Sequence, residues 1–535
     1  MKTEKIPSWL LLLSPTLIWW LVWCLNPEPL RWVSTAAALV QLLPFLEWER
    51  RTREGSKAKR FFGWYLMFLG ANISTTWWVW NSSPVGAVAM LILNSLLMVL
   101  PFALARPLSH LIYRKRPEGF DFVWLIPILW LLYEFLHHRW DLSWPWLSLG
   151  NGWARNSWMA QWYELCGALG GTSLVWLLNI WIYRGRLAPA ATALGGLAAL
   201  GLLLSFRVDI QEGQALKVSV LQPNYDPWDE KFVKSPDVLN EDMALLASSS
   251  IDSSSDWLLL PETALTGWIE PRYRETDPQV RFWRSAIKRF DWPADLQILA
   301  GCQTVDWYQS AERPLPAARP AGALKDASKG VVRDWYIPHN SAISFGARDS
   351  SQLYHKSKLV PGTEQLPFVS TFPFLESLAI GLDENSSTGT LGVNDKAVSL
   401  GKNNPVAPII CYESIYGDYV REFAKAGATW LAVITNDAWW GETNGHRQHF
   451  EFSRTRAIEQ RMWVARSANT GISGFIDPLG RVYEASPYNQ RGAYQYRIYA
   501  HEPYTLYYHT GDWFWLTASV LGFAFGAYYY NKSKA

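Results

Sequence analysis

Eight apolar runs, most of them close to the length of a membrane-spanning helix, constrain this chain more than any other feature. They are Trp9–Leu25, Leu30–Phe45, Phe61–Trp80, Pro84–Ala105, Phe122–Phe135, Gly167–Tyr183, Ala188–Phe206 and Trp513–Tyr530. A spanning helix needs about 20 mostly apolar residues, and the shorter runs can extend into their flanks. Phe122–Phe135 also fits a buried or interfacial helix. The connections alternate in charge. Lys2 and Lys5, the group Arg50/Arg51/Arg53/Lys57/Lys59/Arg60, then Arg106/Arg114/Lys115/Arg116, Arg184/Arg186 and Lys532/Lys534 are basic, whereas Asn26–Glu28 and Asn81–Ser83 hold no Lys or Arg. By the positive-inside rule both termini are expected in the cytoplasm and the large remaining region on the opposite side. Trp19-Trp-Leu-Val-Trp-Cys-Leu25 offers no small-residue cleavage site, so the first run reads as a retained helix.

The mean hydropathy of −0.05 averages two unlike parts. Gln211 to Tyr508 has ordinary globular composition, while the flanking regions are crowded with Leu, Trp and Ala. The expected organisation is therefore a helix bundle over 1–210, an extracytoplasmic domain over 211–508, and a last membrane helix with a cytoplasmic tail over 509–535. The 33 tryptophans gather at run ends (Trp19, Trp20, Trp77, Trp78, Trp80, Trp513, Trp515), the placement of an interfacial aromatic belt, with core packing expected for many of the rest. A net charge of +2 gives no reason to expect nucleic acid. Cys24, Cys166, Cys302 and Cys411 are too few and too scattered for a disulfide framework or a metal set, so neither metal nor cofactor is expected. Cys24 and Cys166 read as small hydrophobes and Cys302 as a buried strand residue.

Inside the large domain, Leu216–Gln222, Trp257–Leu260, Ile298–Gln303, Ser341–Phe345, Pro408–Cys411, Thr429–Thr435 and Ile472–Ile476 read as strands, many continuously apolar as in sheets covered on both faces. Arg447–Met462 has a helical pattern and Asp477-Pro-Leu-Gly480 reads as a turn. Arg313–Lys329 is Pro/Ala-rich and reads as a surface loop.

Three of the strand-like runs end on chemistry. Trp257-Leu-Leu-Leu-Pro leads to Glu262, Leu353-Tyr-His to Lys356, and Pro408-Ile-Ile to Cys411. A thiol is mostly protonated at neutral pH, and a carboxylate can take its proton during attack and return it to a leaving group. The oxyanion that forms needs fixed positive charge or N–H donors, for which Lys356 and the backbone of Tyr412 are candidates. Glu364 and Glu413 are candidates to hold the lysine protonated and oriented. Each residue taken singly fits a surface or core position as well.

The set Pro261-Glu262, Tyr354-His-Lys356-Ser-Lys-Leu-Val-Pro-Gly-Thr-Glu364-Gln-Leu-Pro367, Cys411-Tyr-Glu413 and Thr435-Asn-Asp-Ala-Trp-Trp-Gly441 resembles the nitrilase superfamily, and more narrowly its membrane branch, the apolipoprotein N-acyltransferases. Leu221-Gln-Pro-Asn224 with Trp228, Ser143-Trp-Pro-Trp146, and His446 to Gly474 extend the resemblance over nearly the whole chain. Two departures are visible: Gly362-Thr-Glu364 stands where the family has Phe-Gly-Glu, and Trp440 where Phe is commoner.

The resemblance implies a polytopic bundle of about eight helices joined to an α/β nitrilase-like αββα sandwich. It also implies a Glu262–Lys356–Cys411 triad, with Lys358 as the rival lysine, and substrate contacts at Trp146, Trp228, Trp439 and Trp440. The implied reaction carries an acyl chain from a phospholipid, through a cysteine thioester, to the N-terminal diacylglyceryl-cysteine amine of a lipoprotein at the bacterial inner membrane. A monomer is expected. Two other readings stay open at this point: a membrane-tethered amidase with water as acceptor, and a transporter or scaffold.

Overall fold

In the computed structural model, which describes residues 6–112, 122–310, 312–315, 317–320, 334–372, 374, 390–394 and 396–532, all eight apolar runs are helical. Helices satisfy their backbone polar groups internally, which a bilayer demands. Four segments among the described residues are long and apolar enough to cross: Glu28–Thr52, Pro84–Leu111, Tyr163–Tyr183 and Leu187–Phe206. Ser8–Cys24 and Leu125–His137 are apolar but shorter, and the more polar helices Lys57–Thr76 and Leu506–Lys532 complete the set.

The chain divides into two units, Met1–Val208 with Thr505–Ala535, and Asp209–Tyr504. In the helical unit, Phe45, Phe68, Phe102, Trp130 and Trp176 are all buried and pack ring against ring, with Phe45 and Phe68 stacked at 4.2 Å and Trp130 and Trp176 edge-on at 5.7 Å. Leu30–Phe45 is not one helix. It breaks between Arg31–Ala38 and Leu43–Thr52, and buried Asn179 serves both broken ends by accepting from Leu42 N (3.0 Å) and donating to Ala38 O (2.9 Å). Glu134, also buried, accepts from Trp130 Nε1, Leu149 N and Thr172 Oγ1, and so ties the Trp-Pro-Trp loop to two helices. Gly167 bends its helix through φ +62°, and a Cβ there would lie 2.5 Å from Tyr507. Of the tryptophans at run ends, Trp20, Trp77, Trp80 and Trp513 are exposed, whereas Trp19 and Trp78 are fully buried in the packing. Cys24 and Cys166 are buried in helices as small apolar groups.

The second unit is an α/β domain with two sheets. The larger holds β1 (Gln214–Gln222), β2 (Trp257–Leu259), β3 (Leu265–Ile269), β4 (Gln297–Gln309), β5 (Arg319–Pro320), β6 (Asp334–Phe345), β7 (Gln352–His355) and β13 (Gly492–Ala500). Its order is β13-β1-β2-β4-β6-β5, with β3 on β4 and β7 on β6. The smaller runs β12 (Val482–Tyr483), β11 (Gly474–Ile476), β10 (Val464–Ala468), β9 (Trp430–Thr435), β8 (Val406–Ile410). Parallel pairing of β1, β2 and β4, and of β8, β9 and β10, brings the ends of β2, β8 and β9 to where chemistry is placed in open α/β sheets. Helices Pro236–Ala247 and Pro278–Arg289 cover the larger sheet through Leu239, Met243, Val280 and Trp283, which join Leu258, Ile298 and Cys302 in one core.

β4 and β6 run several residues beyond the apolar segments expected, because Thr304, Asp306, His339 and Asn340 continue the antiparallel ladder after the hydrophobic pattern ends. The expected strand Ile472–Ile476 shortens to β11, and β3, β10 and β13 are additional. The expected helix appears as Asn444–Gln460. Within Arg313–Lys329, Arg319–Pro320 pairs with β6, and residues 321–329 lie outside the described set.

Candidate active site

Glu262 follows β2 and is 6% exposed. Gly301 on the neighbouring β4 lets the chain pass there, since a Cβ at that position would lie 2.5 Å from the Glu262 Cα. One carboxylate oxygen, Oε1, accepts from Asn340 Nδ2 at 2.7 Å and faces Lys356 Nζ at 3.4 Å. The other accepts from the backbone N–H of Asn436 at 3.0 Å, a donor supplied by the second sheet. The backbone carbonyl of Glu262 accepts from Lys231 Nζ at 2.7 Å. Burial lowers the Lys231 pKa to about 7, with Glu262 and Cys411 opposing it.

Lys356 follows β7, donates its backbone N–H to Asn340 O at 2.8 Å, and is fully buried. Its ammonium lies 2.8 Å from Glu364 Oε1. Burial disfavours that charge, but Glu364, Glu262 and Cys411 outweigh burial and hold the pKa above the ordinary lysine value. Glu364 is fixed in turn by Val360 N at 2.9 Å and Asn340 Nδ2 at 3.1 Å. Lys358 points elsewhere, with its ammonium over the rings of Tyr419 and Tyr416 at 5.2 and 5.5 Å.

Cys411 follows β8 and opens the short 3₁₀ turn Cys411–Ile415. Its φ of +49° lies in the left-handed region, uncommon for a residue with a side chain and concentrated at functional sites. The residue is 8% exposed. Burial and then the charge of Glu262 push its thiol pKa up, with Lys356 pulling the other way. Tyr412, the next residue, is buried and sets its ring edge-on to Tyr416 at 5.5 Å.

Glu413 departs from expectation. Its carboxylate accepts from Tyr354 Oη (2.6 Å), Ser357 N (2.7 Å) and Ile410 N (2.9 Å). It therefore fixes the Tyr354 phenol before Lys356 and the Ser357 N–H after it, and makes no hydrogen bond to the ammonium. Burial raises its pKa to about 6 against those donors.

A second buried layer stands behind the thiol, and sequence reasoning gave its members no roles. His449 Nε2 lies 3.0 Å from the Cys411 carbonyl and 3.0 Å from Ser414 Oγ, while Nδ1 faces Asp437 Oδ1 at 2.9 Å. Arg466 donates to Asp437 Oδ2 at 2.8 Å. Although burial opposes it, His449 and Arg466 together hold the Asp437 carboxyl well below the usual range. Cys411, Asp437 and His449 offer three ligand atoms within 4.8 Å of one another. The Arg466 guanidinium already occupies that carboxylate, so the layer is charge-balanced without a metal. Asn340, Asn436 and Lys231 were likewise missed. For Asn436 and Asp437 the available signal was the polar Thr435-Asn-Asp segment ending a fully apolar strand.

Trp228 is largely exposed and meets Trp439 edge-on at 5.1 Å, and Phe232 stacks on Trp439 at 6.5 Å. Trp440 packs against His449 at 5.3 Å. Trp146 belongs to the helical unit, fully buried and stacked on Trp144 at 5.3 Å.

The α/β domain that carries these buried groups matches the carbon–nitrogen hydrolase family model over residues 217–501, and the chain belongs to that family. The apolipoprotein N-acyltransferase N-terminal domain matches residues 9–181, which sets the chain in that branch. The apolipoprotein N-acyltransferase of Chlorobaculum tepidum is 29% identical over 489 residues, covering 87% of this chain and 85% of the relative. That of Geobacter metallireducens is 27% identical, covering 80% and 77%. Among solved structures, the carbon–nitrogen hydrolase from Helicobacter pylori G27 aligns over 53% of this chain and 89% of its own, at TM-score 0.36 and 13% identity.

Proposed function

We propose that this chain acylates the N-terminal cysteine amine of lipoproteins, taking the acyl group from a phospholipid by way of a thioester on Cys411. The observation that carries this reading is the pairing, in one chain, of the buried Glu262–Lys356–Cys411 site with the apolipoprotein N-acyltransferase N-terminal domain. The bundle then crosses the membrane about eight times, with both termini cytoplasmic. The Asp209–Tyr504 unit, an αββα sandwich, lies on the periplasmic side of the bacterial inner membrane, and the enzyme works as a monomer.

In the first half-reaction Cys411 Sγ attacks the ester carbonyl carbon as Glu262 takes the thiol proton. Because burial keeps the resting thiol protonated, proton removal has to accompany attack. The Lys356 ammonium and the Tyr412 N–H stabilise the oxyanion. On collapse the C–O bond breaks, Glu262 returns the proton to the departing alkoxide, and lysophospholipid leaves. In the second half the acceptor's neutral α-amine attacks the thioester, Glu262 takes the amine proton, and as the C–S bond breaks Glu262 returns that proton to the departing thiolate, leaving the free thiol and an amide. Glu364 keeps Lys356 charged and oriented throughout, and Glu413 holds the backbone around it.

Mass spectrometry of the intact protein after incubation with phospholipid tests this. One acyl adduct on Cys411, discharged by a diacylglyceryl-cysteine peptide with a free amine and retained with its N-acetylated form, is the expected result. Rapid fatty-acid release without an amine would favour a water-using amidase instead.

A further inference from the structure

We infer that Asp306, His339 and His355 form a binding site for one divalent transition-metal ion of the zinc type, on the face of the larger sheet opposite to the catalytic residues. Strand alternation separates the two sets. His339 and Ser341 share one face of β6 while Asn340, between them, turns to Glu262; His355 ends β7 just before Lys356. The three side chains offer ligand atoms that all lie within 4.8 Å of one another.

The donor set fits zinc, and so does the His339–Asp306 spacing. Two imidazoles and a carboxylate are borderline-soft ligands of the kind zinc takes in three-ligand sites that leave a fourth position for water. Two ligands each about 2.0 Å from a tetrahedral zinc stand about 3.3 Å apart. His339 Nε2 and Asp306 Oδ2 lie 3.2 Å apart.

A second observation comes from what His339 lacks. It is 7% exposed, its Nδ1 has no hydrogen-bond partner among the described residues, and its Nε2 has only Asp306 Oδ2 at 3.2 Å. A buried imidazole left in that state is costly unless something accepts its lone pair. His355 stacks on the same ring at 4.1 Å, so one of the two imidazoles has to turn for both in-plane lone pairs to meet one ion. Its Nδ1 is engaged by Ser341 Oγ at 2.7 Å, and Ser341 is bonded to Thr304 Oγ1 at 2.8 Å, which leaves Nε2 free to ligate. A metal-bound histidine commonly has its other ring nitrogen held by a carboxylate, carbonyl or water, and here a hydroxyl takes that place. His355 and Asp306 are half-buried, so an ion has a path in.

An ion here would clamp β4, β6 and β7 one residue away from Asn340 and Lys356. It would also hold residues 390–394, where Gly392 lies so close to the His339 ring that a Cβ would sit 2.2 Å from Cε1. Leu391 N bonds the Glu364 carbonyl, so this clamp extends to the partner of the catalytic lysine.

The test uses the full chain in detergent, stripped with EDTA and re-equilibrated with zinc alone. Elemental analysis should find about one equivalent of zinc in the wild type and in Cys411→Ala, and almost none in His339→Ala or His355→Ala. Cobalt should give a tetrahedral ligand-field band that is lost in the same two variants. Zinc should raise the melting temperature of the wild type and not that of Asp306→Asn, a substitution of nearly equal size. A wild type that retains no zinc, or a His339→Ala variant that retains it fully, would overturn the site and leave a plain His339–Asp306 ion pair. Loss of zinc in Cys411→Ala would overturn it too, by moving the ion to the thiol.

Discussion

Lys356 stands 2.8 Å from Glu364 but 3.4 Å from Glu262. The ammonium thus has its close ion-pair partner in Glu364. Glu262 is held mainly by uncharged donors, Asn340 Nδ2 and Asn436 N. A carboxylate not tied up in a tight pair with the lysine is free to accept a proton. This arrangement fits the proposed roles, in which Glu364 supports the cation and Glu262 transfers the proton.

Removing the cation should therefore cost catalysis heavily. Lys356→Ala should slow acyl-adduct formation by about 10²–10³, the effect of losing one oxyanion donor. Lys358→Ala should be mild, because its ammonium lies over Tyr416 and Tyr419. Rates of adduct formation for both variants, measured by mass spectrometry, decide the assignment, and the reverse ranking would shift the catalytic cation by two residues.

The thiols should separate as cleanly. Cys411→Ala should form no adduct, and Cys411→Ser almost none, since a hydroxyl is far harder to deprotonate. Cys302 is buried in β4, where desolvation pushes its thiol pKa up, and Cys302→Ala should stay active. Equal loss in Cys411→Ala and Cys302→Ala, with folding intact, would show that Cys411 is not the nucleophile.

Lys231 gives a pH signature. Its pKa falls from 10.5 unfolded to about 7 folded, so between those values the unfolded chain binds the extra proton. Stability then rises with pH across that window, and the group's contribution is lost as pH falls through about 7. Lys231→Met removes the titrating amine together with its bond to the Glu262 carbonyl. Melting curves at pH 7 and pH 9 should show the wild type gaining more stability than Lys231→Met. Identical gains would mean that the amine titrates normally.

Topology is open to a direct check. A reporter fused after Ala535 should read as cytoplasmic, and one inserted in the connection Asn81–Ser83, which carries no Lys or Arg, as periplasmic. A periplasmic signal from the C-terminal fusion would reverse the arrangement.

Legibility in the sequence followed hydrophobic pattern. The eight runs and the strands leading to Glu262 and Cys411 were readable because each is a nearly unbroken apolar stretch, whereas the four-residue strand before Lys356 has only Leu353 and Tyr354 to mark it. The helix Pro278–Arg289 was passed over although Asp277-Pro278 is a helix-start signal and Asp277 does cap Gln279 N. β13 was missed because its residues are mostly half-buried, so no apolar run marks an edge strand. Asn340 and His449 could not be found by periodicity at all. Their roles depend on partners 78 and 38 residues away, Glu262 and the Cys411 carbonyl, which only the assembled sheets bring together.

Access for lipid is the remaining question the site poses. Trp228, Phe232 and Trp439 form an aromatic group with Trp228 largely exposed, and Trp228 lies three residues before Lys231, which bonds the Glu262 backbone. Large aromatic surface left in water usually marks a surface that binds something apolar. If the group receives the acyl chain, Trp228→Ala combined with Trp439→Ala should weaken acylation from phospholipid vesicles, raising KM more than it lowers kcat. Acylation by a water-soluble short-chain ester, which needs no aromatic path, should change little. The rate of Cys411 alkylation by iodoacetamide serves as the control for an intact site. Equal loss with both acyl donors would assign these tryptophans to packing around the thiol and not to lipid capture.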